Sequence, residues 1–470
     1  MNLRAGEQAL VAAAIAYLVG LSWAMTNLSF DIWGALVVAP VLVIVGVLGV
    51  RRMFSGDLQP LQRVMWLGLV AKLGGALVRY WVAFDAYGGA TDAERYHRYA
   101  RDAAGKVWAG EAPFSTVLPS GSGTPFMERF TSLVYTVMGS SKLTGFLFFS
   151  WLAFWGLAWF VRAACLAVPG LASRRYAAFC VLAPSLVYWP SSIGKEAWMM
   201  LWLGIATYGI ARLLSQRGFI HSTVITAIGL GGAAIVRPHI AGVWLAGLLP
   251  ALLVAVLRGR VRDRKRGAGL QRLTMLLAIG AAAVALSAVA STTVRFLNPK
   301  SDETAVSGTS ITSILNETTR RTSESGSTFR PPVVQGFADW PVASLRTLTR
   351  PLLIEARSLF QLLTALEIAI FLLICLVAYR RVLHLPKMML TNPFVAFAMT
   401  SLFLGGLAYS SFANLGVLTR QKSLILPLMF IIPCLPPLPL RGTSKSVDAD
   451  ASADASDPAG RRREAELASR

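Results

Sequence analysis

The chain is short of charge, of cysteine and of recognisable catalytic signatures. Only 15% of its 470 residues are Asp, Glu, Lys or Arg, against roughly 25% in soluble domains. That excludes a single soluble core. No Walker motif, GxSxG, HExxH or CxxC occurs, and no Asp-x-Asp pair falls on the expected outer face. This leaves P-loop chemistry, serine-hydrolase chemistry, zinc-protease chemistry and a tightly bound structural metal without a motif. The four cysteines, Cys165, Cys180, Cys375 and Cys434, all lie in apolar runs. None has zinc-ligand spacing, and none sits in a soluble loop where a disulfide would staple it. They read as packing residues.

What is present is apolar length. Hydrophobic residues make up 55% of the chain, and runs near the roughly 20-residue spanning length recur from end to end. The expected fold is all-α: a polytopic transmembrane helical bundle of about twelve spans. Approximate limits are 8–26, 32–50, 63–85, 142–166, 175–190, 196–214, 219–236, 239–257, 273–291, 354–379, 388–410 and 416–436. The first run has only Arg4 before it and no clear small-residue cleavage site after it, so it reads as a retained span. The membrane domain is expected over 1–440. The remainder, 441–470, is rich in Ala, Ser and Asp and reads as a disordered cytoplasmic tail.

The net charge is +21. In a soluble protein it would point to nucleic acid, but here the basic residues concentrate in alternate short loops. These hold Arg51, Arg52 and Arg63, then Arg174 and Arg175, then Arg217. Arg258, Arg260, Arg262, Arg264, Lys265, Arg266 and Arg272 follow, and finally Arg380, Arg381 and Lys387. Short basic loops mark the cytoplasm. Both termini are then cytoplasmic, and no nucleic-acid partner is expected. Two long loops, about 86–141 and 292–353, fall on the extracytoplasmic side. Within the first, Thr91 and Glu94 have capping-box spacing. Tyr96, Tyr99, Ala103 and Val107 follow at helical intervals, which predicts an amphipathic helix lying on the outer membrane face. The second loop begins Ser/Thr-rich and takes on ordered character at Phe329-Arg-Pro-Pro332 and Trp340-Pro341.

Polar groups that are costly at a bilayer mark candidate sites. In Pro184-Ser-Leu-Val-Tyr-Trp-Pro-Ser-Ser-Ile-Gly-Lys-Glu196 an apolar run breaks at Pro190 and presents Lys195 and Glu196 before the next run. Non-helical backbone at membrane depth is tolerated mainly where it lines a cavity, and Pro184, Pro190, Gly194 and Pro238 mark such places. Lys195 and Glu196 read either as a snorkelling anchor with a helix N-terminal acid or as substrate-facing groups beside an anion cradle. Asp92 occupies a first helical position, where the dipole favours a carboxylate; the alternative role is general base. His97 shares its side of that helix and reads as a surface group or a catalyst. Arg237, Arg350, Arg420 and Lys422 run against the positive-inside pattern; Lys72 and Arg79 in the third span and His239 beside Pro238 are further unusual polar groups on or just within the outer face, with Glu355 and Glu367 nearby in sequence. They would anchor lipid head groups or hold the phosphate oxygens of a substrate. One carboxylate could share a divalent cation with a phosphate substrate.

Five pieces form an ordered set: Asp92-Ala-x-x-Tyr-His97; Pro184-Ser-x-x-Tyr-Trp-x-Ser-Ser-x-x-Lys-Glu196; Arg237-Pro-His239; Arg350-Pro-x-x-x-Glu355 with Glu367; and Asn414-x-Gly-x-x-x-Arg420-Gln-Lys422. The set resembles segments of bacterial polytopic proteins from exopolysaccharide and cell-envelope gene clusters. Such proteins are similar to polysaccharide polymerases and to membrane glycosyltransferases of the GT-C type. The resemblance implies a bacterial cytoplasmic-membrane protein acting on sugars carried by polyprenyl phosphate or pyrophosphate, alongside other envelope-polysaccharide proteins. The GT-C pattern implies a catalytic carboxylate in the first large outer loop, matched by Asp92, with Glu196 as the alternative acid; the neighbouring acid of that pattern is missing. The polymerase pattern implies outer-face arginines, matched by Arg237, Arg350 and Arg420. A flippase for the same lipids and a non-catalytic envelope-assembly protein are the rival expectations.

Overall fold

Inside a bilayer no water is available to bond a free N–H or C=O, so each apolar run must satisfy its backbone internally and becomes a helix. The computed structural model describes residues 5–89, 91–262, 278–288, 336–356 and 358–438, with the single positions 276, 319, 331, 332 and 334. Among the described residues the regular elements are helices and there is no strand. The basic run beyond 262, most of the second long loop and the C-terminal tail lie outside the described residues.

In chain order the helices are α1 (Ala5–Asn27), α2 (Phe30–Met53), α3 (Gln62–Trp81), α4 (Asp92–Trp108), α5 (Gly123–Met138), α6 (Lys142–Ala167), α7 (Ser173–Leu182), α8 (Pro184–Tyr188), α9 (Lys195–Leu214), α10 (Phe219–Val236) and α11 (Pro238–Arg262). After α12 (Ala278–Ala288) come α13 (Trp340–Thr349), α14 (Leu359–Val377), α15 (Tyr379–Val382), α16 (Leu385–Thr391), α17 (Pro393–Tyr409), α18 (Leu415–Lys422) and α19 (Leu426–Met429). Six helical segments are long and apolar enough to cross a membrane, and eight if each sharply bent pair counts as one span. The molecule is therefore a multi-pass helical membrane protein. The expected segment 175–190 is not one helix: it breaks at Ala183 between α7 and α8. The expected segments 354–379 and 416–436 belong to bent pairs, with bends of 83° and 62°.

Helices α6 and α9 form the centre. In each, 72% of the spanning window is buried, against 28% in α2, which faces outward. The two central helices cross through glycine. A Cβ on Gly156 would lie 2.2 Å from the Met200 carbonyl oxygen, and one on Gly204 2.2 Å from the Gly156 carbonyl oxygen. Between membrane helices, association depends on such close backbone approach because lipid supplies no hydrophobic drive. α10 packs on the far side of α9, and α17 on α11.

Helix directions sort the bundle into two ends. One end collects the starts of α2, α6, α9 and α11 with the ends of α3, α10 and α17. Asp31 Oδ1 accepts the Lys142 N–H there at 2.7 Å. The opposite end holds Arg51, Arg52, Arg174, Arg175, Arg212 and Arg217, and there the Arg162 guanidinium bonds the Met53 carbonyl.

The loop between α3 and α6 is ordered and helical. α4 begins at Asp92 as the spacing predicts, but the capping box does not form: Thr91 makes no side-chain cap bond. Glu94 instead pairs with Lys142 at 3.1 Å and Arg98 at 3.5 Å, since full cations outcompete a backbone N–H for its carboxylate. The apolar face of α4 is Ala93, Tyr96, His97, Ala100 and Ala104. That face packs on α5, so the helix is seated on protein and not laid on lipid. Tyr99, expected in the apolar stripe, is exposed, because the buried stripe runs one position over through Ala100 and Ala104.

Candidate functional site

The cleft end of the bundle opens into a cavity of about 570 Å³. Its walls come from the end of α3, the start of α4, the break after α8, the start of α14 and one face of α18, Gly416, Val417, Thr419 and Arg420. These meet because each is interrupted there. The π-helical turn Val82–Ala86 ends α3, Pro190 and Gly194 stop the chain between α8 and α9, and Asn414 starts α18 by accepting the Val417 N–H at 3.0 Å.

Arg420 stands at the middle of the cleft. Its Nη2 donates to Asp92 Oδ2 at 2.8 Å, and its Nε forms an ion pair with Glu196 Oε1 at 2.7 Å. Glu196 is buried, 2% exposed. The same Oε1 accepts a second guanidinium bond, from Arg237 Nη2 at 2.8 Å. Arg237 in turn gives its Nη1 to Gln421 Oε1 at 2.7 Å. A carboxylate this far from water is tolerated only because two guanidiniums replace its hydration. Asp92 differs: its side chain is 57% exposed and faces the cavity. The two acids therefore have separate environments. Asp92 is available to an incoming group, while Glu196 is occupied in holding two arginines in place.

Arg79 also lines the cavity. Its Nη1 donates to the Tyr188 hydroxyl at 2.6 Å, and its guanidinium lies 4.6 Å from the Tyr188 ring centroid and 5.1 Å from that of Trp189. Such stacking holds a cation without neutralising it. Among the described residues no carboxylate pairs with Arg79, and its Nε is buried without a hydrogen-bond partner. The cleft thus combines one exposed carboxylate, one stacked arginine and one shared arginine with apolar surface from Ala83, Phe146 and Val417.

The structure brings together Asp92, Glu196, Arg79, Arg237 and Arg420, and leaves the other expected site residues apart. Lys195 turns from the cavity to donate to Thr124 Oγ1 on α5 at 2.8 Å. His97 is buried behind α4, its Nδ1 2.8 Å from the Tyr135 hydroxyl. Burial, reinforced by the nearby Lys142 and Arg101 cations, pulls its pKa from 6.5 down to about 3, so at neutral pH it is an uncharged packing group. His239 opens α11 without lining the cleft. Arg350 pairs with Glu355 at 3.1 Å. Lys422 is fully buried and bonds the Leu348 and Arg350 carbonyls. Among the described residues no three His, Cys, Asp or Glu side chains gather as metal ligands; Asp92 is the exposed carboxylate that could share an ion with a bound phosphate.

Sequence reasoning did not single out Tyr188, Trp189 and Gln421 as functional side chains. The aromatic pair beside the Pro190 break was the available signal for the first two. Gln421 lies inside the quoted Arg420-Gln-Lys422 piece, but nothing local assigns it to Arg237. Comparison with protein-family models, with curated proteins and with solved structures finds no match. Fold and site define a class, a multi-pass helical membrane protein with a charged cleft at one end of the bundle.

Proposed function

We propose that the cleft transfers or polymerises sugars carried on polyprenyl phosphate or pyrophosphate, at the outer face of a bacterial cytoplasmic membrane. The chain would span that membrane about twelve times with both termini inside. The basic end of the bundle is then cytoplasmic and the cleft end faces out.

The observation that carries this reading is the bridge from Asp92 through Arg420 to Glu196 in one cavity with Arg79. An exposed acid beside fixed guanidiniums suits a reaction that takes up a proton at one point and releases phosphate at another. In the transfer, the acceptor hydroxyl gives its proton to Asp92. Its oxygen bonds to the anomeric carbon as the bond from that carbon to the phosphate oxygen breaks. The leaving lipid phosphate keeps the bonding electrons, and Arg79 and Arg420 stabilise the charge that develops. Glu196 and Arg237 keep Arg420 in position. The apolar wall accommodates the part of the lipid nearest the head group.

The test is purified protein in proteoliposomes with a lipid-linked oligosaccharide. Elongated product that disappears in Asp92→Asn supports the reading. Leaflet exchange without new glycosidic bonds replaces it with a flippase. An unchanged envelope polymer in cells carrying neutral substitutions of both Arg79 and Arg420 replaces it with a non-catalytic assembly protein.

A further inference from the structure

Among the ionisable side chains that enter the bundle interior without lining the cleft are Lys72 of α3 and Glu367 of α14. Both act on the same five-residue helix, α8, from opposite ends. At its start, Glu367 Oε2 accepts the Ser185 N–H at 2.7 Å. At its end, the fully buried Lys72 Nζ donates to the Leu186 carbonyl at 2.7 Å, the Ser191 hydroxyl at 2.7 Å and the Val187 carbonyl at 3.4 Å. Ser150 Oγ completes the group, 2.6 Å from the Lys72 carbonyl and 3.0 Å from Ser191 Oγ.

The chain itself creates the need. In a continuous helix the Leu186 carbonyl would accept the N–H of residue 190, but residue 190 is proline and has none. The Val187 carbonyl would accept from Ser191, whose N–H goes instead to the Tyr188 carbonyl at 3.2 Å. The Ser191 hydroxyl takes over the Val187 carbonyl, so the Leu186 carbonyl is the one left without a local donor at membrane depth, and the Lys72 ammonium supplies it. The signs also match the helix dipole, with the acid at the N-terminus and the cation at the C-terminus. The helix so held ends in Tyr188 and is followed by Trp189, the two rings that hold Arg79. α3 and α8 touch closely as well: a Cβ on Gly75 would lie 2.5 Å from the Val187 carbonyl oxygen.

We infer that Lys72 and Glu367 are positioning residues of the cleft: they pin α8 at both ends so that Tyr188 and Trp189 hold the Arg79 guanidinium in the cavity wall. Neither lines the cavity. The role of Arg79 as a phosphate contact rests on the function proposed above; the pinning of α8 does not.

The test uses full-length protein carrying 5-fluorotryptophan, with the Trp189 fluorine resonance assigned by its loss in Trp189→Phe. Arg79→Met removes the cation over the ring and should shift that resonance. Lys72→Met and Gly75→Ala disturb α8 by unrelated routes, one through lost donors and one through a steric push. Both should shift the Trp189 resonance while leaving that of Trp244, buried in α11, in place. Glu367→Gln keeps an acceptor for Ser185 and should shift it less than Glu367→Leu does. In titrations with inorganic pyrophosphate, Lys72→Met should weaken binding about tenfold, the effect of misplacing one charge-assisted hydrogen bond. A folded Lys72→Met protein with a wild-type Trp189 resonance overturns the inference. If that variant does not fold, Ser191→Ala removes one partner of the ammonium, and an unshifted resonance there overturns it equally. Pyrophosphate that binds neither wild type nor variant counts against the proposed function alone, because the fluorine resonance judges the pinning separately.

Discussion

Asp92 and Glu196 come from two different helices, α4 and α9, and meet on one guanidinium, Arg420, at 2.8 and 2.7 Å. Lysine cannot reproduce this, because an ammonium is a single point charge without the planar fork. Under the proposed function, Arg420→Lys should therefore lower sugar transfer by roughly a hundredfold or more, the usual cost of removing one preorganised donor from a developing anion. Single-turnover transfer with saturating lipid-linked donor checks it. Activity near wild type would mean that charge alone suffices at this position.

The unequal burial of the two acids separates stability from activity. Glu196→Gln leaves Arg237, itself buried, without its carboxylate. Breaking a buried pair costs about 3–5 kcal/mol, so this variant should melt well below wild type in detergent. Asp92 is more than half exposed, and losing a surface pair costs about 1 kcal/mol or less. Asp92→Asn should melt almost as wild type does yet be inactive in the transfer proposed for the cleft. Thermal unfolding and transfer assays on the same preparations check both halves.

Local rules made the breaks in this chain legible, and long-range contacts stayed hidden. Pro184, Pro190, Gly194 and Pro238 were readable as interruptions because a missing N–H or Cβ acts on the residue's own backbone. Six of the twelve expected spans return as helices long and apolar enough to cross a membrane, because apolar length is a local property. The union of Asp92, Glu196, Arg237 and Arg420 was not readable, since each reaches the others only through helix packing. The same limit accounts for His97, whose burial depends on Tyr135, and for Glu94, drawn from its expected cap by Lys142. Lys72 was noticeable as a charge in an apolar run, but only the packing of α8 against α3 explains its presence. α5 escaped notice because its buried positions face α4 and α6, and so form no spanning run.

His97 gives the α4–α5 packing a pH dependence. In the folded protein it is neutral, with its pKa lowered to about 3 by burial and by the facing Lys142 and Arg101 cations; in the unfolded chain it would titrate near 6.5. Below pH 6.5 the unfolded chain takes up a proton that the folded one refuses. Stability is therefore full above that pH and falls as pH drops toward 3, by about 1.4 kcal/mol for each pH unit. The melting temperature of wild type should drop between pH 6.5 and 4.5. His97→Gln, which has no proton to take up, should flatten that part of the profile. An equal drop in both proteins would assign the acid sensitivity to other groups.

The crossing of α6 and α9 supplies a prediction about assembly. Gly156 and Gly204 face each other so closely that either added Cβ would sit 2.2 Å from backbone oxygen. Rotamer changes cannot relieve this, because the obstruction is main chain. The two most buried spanning helices would have to separate, and α9 carries Glu196 at its first turn. Gly204→Val should therefore reduce the yield of monodisperse protein severely, whereas Gly231→Val, with nothing near its Cβ position, should be tolerated. Size-exclusion profiles in mild detergent compare the two. If Gly204→Val elutes as wild type does, the helices have room that this crossing does not show. Loss of transfer in such a protein would then have to come from displacement of Glu196 and the arginines it holds.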